Sequence, residues 1–197
     1  MVSLTENESR VVDFLARNFK ERNSINEVGR KLKLSPMGIY KILKKLEKMN
    51  AVKAEKIGNA AYYKINFDNE VGIKLAELVL VQNELNSYAK VQAEDLKPLK
   101  DSTKACVLLG SVISKGKEAR DIDVFLVLEK DRFKQVHKMF DQIKEIKPKR
   151  IHDVMSTKED LIRNIKKGDE VILEIIKTGK ILWGAEIILE GIKNGSY

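Results

Sequence analysis

Apolar positions in the first fifty residues recur every three or four places, and each run opens on a residue suited to starting a helix. In "TENESRVVDFLARNF" Thr5 and Glu8 have the spacing of a capping box, and Val11, Val12, Leu15 and Phe19 follow at helical intervals. "SINEVGRKLKL" repeats the device with Ser24 and Glu27, putting Ile25, Val28 and Leu32 on one face. "SPMGIYKILKKLEKMN" starts with Ser35 as N-cap and Pro36 at the first helical position, where a missing N–H does no harm. Its inward stripe is Ile39, Ile42, Leu43, Leu46 and Met49; its outward stripe is Met37, Tyr40, Lys41, Lys44, Lys45 and Lys48. "VKAEKI" and "AAYYKI" then flank "GN", which predicts a hairpin with a two-residue turn.

No Gly or Pro falls between Gly72 and Pro98. Val71, Leu75, Leu78, Gln82, Leu85 and Ala89 keep helical spacing, so one long connecting helix is expected over 69–97. Leu78 to Val81 make it apolar nearly all round for one turn, more than a lone surface helix needs. That surplus suits burial against the second domain or against a second copy of the chain. From Lys104 onward, short apolar runs alternate with amphipathic segments: "ACVLL", "DIDVFLVLE" and "RIHDVMS" read as strands, and helical segments finish the chain. The fold class is α+β with three parts: 1–68, the connector 69–97, and an α/β domain at 98–197.

Charge sharpens this division. The net charge is +8, and residues 31–66 alone carry nine Lys/Arg against two Asp/Glu. Such an excess is the electrostatic footprint of a polyanionic partner. At 43% apolar and 34% charged residues the composition is that of a globular chain, and no apolar run approaches the length of a membrane span. One cysteine, Cys106, an N-terminus without signal-peptide character and a Lys/Glu-rich composition point to a cytoplasmic protein with a thermophile's bias.

The stretch from Ile25 to Asn66 resembles the winged helix-turn-helix domain of many prokaryotic regulators. The resemblance implies binding to double-stranded DNA and a role in transcription regulation. The helix from Ser35 would enter the major groove, with Met37, Tyr40 and Lys41 meeting base edges. Ser35 with Lys44 or Lys45 would touch phosphate, and the wing tip, Lys56 to Asn59, would reach the neighbouring backbone. A homodimer suits paired half-sites.

Two features of 98–197 invite chemistry. Asp121 and Asp123, two apart on a strand, project from the same face, either as a solvated strand end or as a pair whose mutual repulsion is relieved by a shared cation. Asp153 interrupts "IHDVM" on the face of Ile151 and Met155, where an apolar residue would be the easy choice. Gly110–Ser111, then "DID", then a lone Asp on a later strand, resembles the DNA polymerase beta nucleotidyltransferase superfamily, in its minimal branch. The resemblance implies a small mixed sheet and two Mg²⁺ ions held by Asp121, Asp123 and Asp153, with Asp153 also acting as base on an acceptor hydroxyl. A nucleoside triphosphate would lie on Gly110 and Ser111. Nine residues separate Ser111 from Asp121, and Lys115 and Gly116 fall one place later than the usual pattern, so Lys115 or Lys117 would supply the phosphate-binding cation. The acceptor stays open: a protein hydroxyl, a small molecule or a nucleic-acid end. Two alternatives stand beside transfer: a regulator with a non-catalytic nucleotide-sensing domain, and a toxin–antitoxin component acting on a partner protein. His137 and His152 read as surface or structural groups.

Overall fold

The structure is a computed structural model that describes residues 3–81, 84–145, 147 and 149–196. The chain divides into two compact units, the first running to Leu80 and the second spanning Val81–Gly195.

The first unit opens with α1 (Glu6–Arg17), α2 (Ile25–Leu32) and α3 (Pro36–Lys48), followed by β1 (Val52–Ile57) and β2 (Ala60–Ile65). Both capping boxes form: Thr5 with Glu8, and Ser24 with Glu27. Each reciprocally satisfies donors that a helix start leaves unpaired. Ser35 caps α3 by accepting from the Gly38 N–H at 3.1 Å. Val11, Val12, Leu15, Val28, Ile39, Leu43 and Leu46 are buried, so the apolar stripes of the three helices meet in one core. β1 and β2 pair antiparallel around a Gly58–Asn59 turn, with Gly58 at φ +60. Three helices and a hairpin in this order, with only three residues between α2 and α3, form a winged helix-turn-helix.

Lys33 sits in that short connection at φ 55, ψ 43, and its backbone N–H donates to the Gly29 carbonyl. A left-handed conformation costs a residue with a Cβ about 1–2 kcal/mol, which is why glycine is the usual occupant.

The connector is two helices, a correction to the single long helix that the spacing suggests. α4 (Glu70–Val81) closes the first unit, and α5 (Ser87–Leu96) opens the second. The cause lies in Asn86, whose side chain accepts from the Ala89 N–H at 2.9 Å and starts a fresh helix. Gln82, placed on the expected stripe, lies outside the described residues. On α4, Leu75, Ala76, Val79 and Leu80 are buried, whereas Val71, Leu78 and Val81 are exposed.

The second unit is built on a four-stranded mixed sheet in the order β5-β4-β3-β6. Its strands are β3 (Ala105–Leu109), β4 (Asp121–Val127), β5 (Arg150–Ser156) and β6 (Lys180–Trp183). β3 runs antiparallel to β4 and β6, and β4 runs parallel to β5. The parallel pair is joined by α7 (Phe133–Glu145), as a parallel connection requires. One sheet face carries Cys106, Leu108, Ile122, Val124 and Leu126, in a core shared with Ala89 and Leu96 of α5 and with Val136, Phe140 and Ile143 of α7. Cys106 is completely buried there, and burial pushes its thiol well above the ordinary range. The remaining helices are the five-residue α6 (Ser111–Lys115), α8 (Lys158–Lys167), α9 (Glu170–Thr178) and α10 (Ala185–Gly195). The segment "KILW", within a region that periodicity reads as helical, is the edge strand β6.

Candidate nucleic-acid interface and carboxylate cluster

α3 separates its side chains cleanly. Ile39, Leu43 and Leu46 turn inward, while Met37 is 62% and Tyr40 44% exposed and Lys41 is exposed beside them. A thioether and a phenol held in water on a helix that has already buried its apolar stripe form a surface suited to partner contact. Ser35 accepts a bond from Gly38 yet keeps its own O–H to donate, so capping and a phosphate contact are compatible. The wing turn presents Lys56 and Asn59, both exposed.

The two lysines expected to share the phosphate role differ. The Lys44 ammonium lies 2.7 Å from Glu47 Oε2 on the same helix, and this carboxylate holds it above its usual pKa. Lys45 reaches across to α1, with Nζ 2.8 and 2.9 Å from the two carboxylate oxygens of Glu8. Glu8 is 6% exposed. Burial pushes its carboxyl up, but the Lys45 ammonium and the Thr5 N–H and hydroxyl outweigh burial and leave it below its ordinary value. Lys45 thus ties α3 to α1, and like Lys44 it meets any phosphate while already holding a carboxylate. The tie spans 37 residues, so no local pattern announces it.

In the second unit, Gly110 ends β3 at φ +74, and a Cβ there would come 2.2 Å from Asp123 Oδ2. Only glycine fits between the turn and that carboxylate. Ser111 begins α6 directly after it. Asp121 and Asp123 share a face, as their spacing predicts, and both are partly exposed.

The third carboxylate is elsewhere. In the parallel register of β4 and β5, Asp123 stands opposite His152, and Asp153 opposite Val124. Paired residues of adjacent strands share a face, so Asp153 shares the Ile122–Val124 face and projects away from Asp121 and Asp123. Its Oδ1 lies 2.7 Å from Lys144 Nζ on α7. The expected convergence of Asp121, Asp123 and Asp153 is corrected on this ground. The group brought to the pair is His152, whose Nδ1 is 3.4 Å from Asp123 Oδ1 and 4.0 Å from Asp121 Oδ2. Among the described residues no set of three or more His, Cys, Asp or Glu side chains is placed to hold a metal ion. The residues present therefore do not fit a two-ion magnesium centre.

Lys115 and Lys117, expected to supply a phosphate-binding cation, lie apart from the carboxylate pair. They line a groove of about 500 Å³ with Asn86, Ser87, Tyr88, Val91, Ser114 and Gly116, and neither makes an ion pair with Asp121 or Asp123. Asn86 anchors that groove by donating to the carbonyls of Val112 and Ile113 at 2.9 and 2.8 Å. Lys149 bonds the Lys117 and Ala119 carbonyls and lies 4.7 Å from the centre of the Tyr88 ring.

No protein-family model matches this chain, and neither does any curated protein. Among solved structures, a zinc-responsive MarR family member, ZitR of Lactococcus lactis, is similar at 22% identity over 51% of this chain and 76% of its own, with a TM-score of 0.33. A superposition that loose carries no weight, and the winged-helix assignment rests on the elements themselves. No described helix is long and apolar enough to cross a membrane.

Proposed function

We propose that the chain is a DNA-binding regulator that reads the major groove with α3 and touches the flanking backbone with its wing. The observation that carries this reading is the outward face of α3, where Met37, Tyr40 and Lys41 stand exposed on a helix fixed from behind by its buried stripe. The local excess of nine Lys/Arg over two Asp/Glu in residues 31–66 supplies the matching field. Met37, Tyr40 and Lys41 are the base-edge candidates; Ser35, Lys44 or Lys45, Lys56 and Asn59 are the backbone candidates. The exposed Val71, Leu78 and Val81 on α4 support pairing of two copies, which would place two reading helices on one duplex. The test is titration with the DNA upstream of the protein's own reading frame against random duplex across a range of salt. Steep salt dependence with a preference for the former is expected; equal and salt-insensitive binding to both would overturn the reading.

For the second unit the geometry favours a non-catalytic version of the transferase plan. The Lys144–Asp153 pair supports this, because it uses the carboxylate that a two-ion mechanism needs. A nucleoside triphosphate remains the ligand to try at Gly110–Ser111, and nucleotidyl transfer to a partner protein or another hydroxyl becomes the less favoured use. Incubating the protein with labelled nucleoside triphosphates, Mg²⁺ and cell extract decides between them. Binding without a labelled product is expected; a labelled product lost in Asp121→Asn would restore catalysis.

A further inference from the structure

We infer that the α2–α3 turn makes a phosphate contact of its own, through Lys33 and Arg10; the inference rests on the DNA-binding reading and adds two residues to it. Lys33 occupies a left-handed position that a glycine would fill without strain, yet the chain places a long cationic side chain there and leaves it exposed. A residue retained against backbone preference in a surface turn calls for a use of its side chain. Arg10, exposed on α1, is clipped to the same turn: one terminal nitrogen donates to the Leu32 carbonyl at 2.7 Å and the other to Asn7 Oδ1 at 3.1 Å. A guanidinium has five N–H donors, so three stay open to an outside acceptor.

Neither of these two cations is neutralised, a property they share with Lys41 and Lys56 on the same unit. Lys44, Lys45, Lys53 and Lys64 of this unit are bound to Glu47, Glu8, Asp68 and Glu55. Among the described residues, Arg10 and Lys33 make no ion pair with a carboxylate, so a phosphate would meet them without displacing an existing partner. Their location fits as well, because Lys33 lies two residues before Ser35, beside the end of α3 that leads into the groove, where phosphates flank the bases. A planar fork and a point charge side by side suit the oxygens of one backbone phosphate.

The test uses the full-length protein and a mixed-sequence duplex, comparing wild type with Lys33→Gly, Arg10→Gln and, as a control for total charge, the exposed Lys90→Gln. Lys33→Gly should melt at the same temperature as wild type or higher, because strain is relieved. Its affinity should nonetheless fall on the order of tenfold near 50 mM salt, and its log–log salt slope should shrink by about one. Arg10→Gln should reduce the slope similarly and Lys90→Gln should leave it alone. Wild-type affinity and slope in Lys33→Gly would overturn the inference while leaving DNA binding intact, as would an equal loss in Lys90→Gln. If wild type itself shows no salt-dependent binding, the DNA-binding reading fails and takes this contact with it.

Discussion

The two units differ in where their unmatched and matched lysines lie. Along the reading face of the first, Lys33, Lys41 and Lys56 stand in water without a carboxylate partner. In the second, several lysines are matched by carboxylates of the same unit: Lys144 by Asp153, Lys147 by Asp95, Lys104 by Glu129 and Lys158 by Glu190. A polyanion gains from cations whose counterions are mobile, and it gains little from those already matched within the fold. The +7 of net charge within 31–66 therefore includes cations open to solvent, whereas in the second unit Lys144 braces α7 against β5 and Lys158 ties α8 to α10.

The sharpest way to break that contrast is charge reversal on α3. Lys41→Glu should lower affinity for duplex DNA about a hundredfold near 50 mM salt, with the melting temperature nearly unchanged. A fall of less than threefold by fluorescence titration would show that α3 is not the reading face. Next in size is the lysine of α3 that is matched from another helix. Glu8→Gln leaves Lys45 without its partner and weakens the cap on α1, and should cost about 2 kcal/mol, or several degrees in Tm. The same variant carries a pH signature. Since Glu8 titrates below its ordinary value in the folded chain, its contribution is complete above the unfolded value near 4.3 and disappears as pH drops through the lower folded one. The gap in Tm between wild type and Glu8→Gln should accordingly narrow below about pH 4; a gap that widened on acidification would contradict the sign. The smallest effect belongs to the second unit. Asp153→Asn should lose about 1 kcal/mol with or without Mg²⁺, since its partner is an ammonium. Stabilisation of wild type by Mg²⁺ that vanishes in this variant would return Asp153 to the metal.

The same contrast accounts for what could be read from residues alone. Thr5–Glu8, Ser24–Glu27, Ser35–Pro36 and Gly58–Asn59 act within four residues of themselves, and each forms as its local pattern dictates. Asp121 and Asp123 share a face for the equally local reason that strands alternate. Asp153 is different. Its own strand places it correctly beside Ile151 and Met155, but which face of β4 it joins depends on the pairing register between two strands separated by a whole helix, and one step exchanges it with His152. The Lys45–Glu8 pair was hidden in the same manner, since it follows from how α1 crosses α3. The break before α5 did have a local signal, Asn86 three residues before Ala89, which the continuous apolar spacing obscured.

Cys106 is the sole thiol of the chain and is sealed in the core of the second unit. Alkylating reagents should therefore pass over the native protein and leave a silent chemical background. A cysteine introduced at Ile57, 40% exposed beside the wing turn, would take up a fluorophore alone and report directly when the wing meets a duplex.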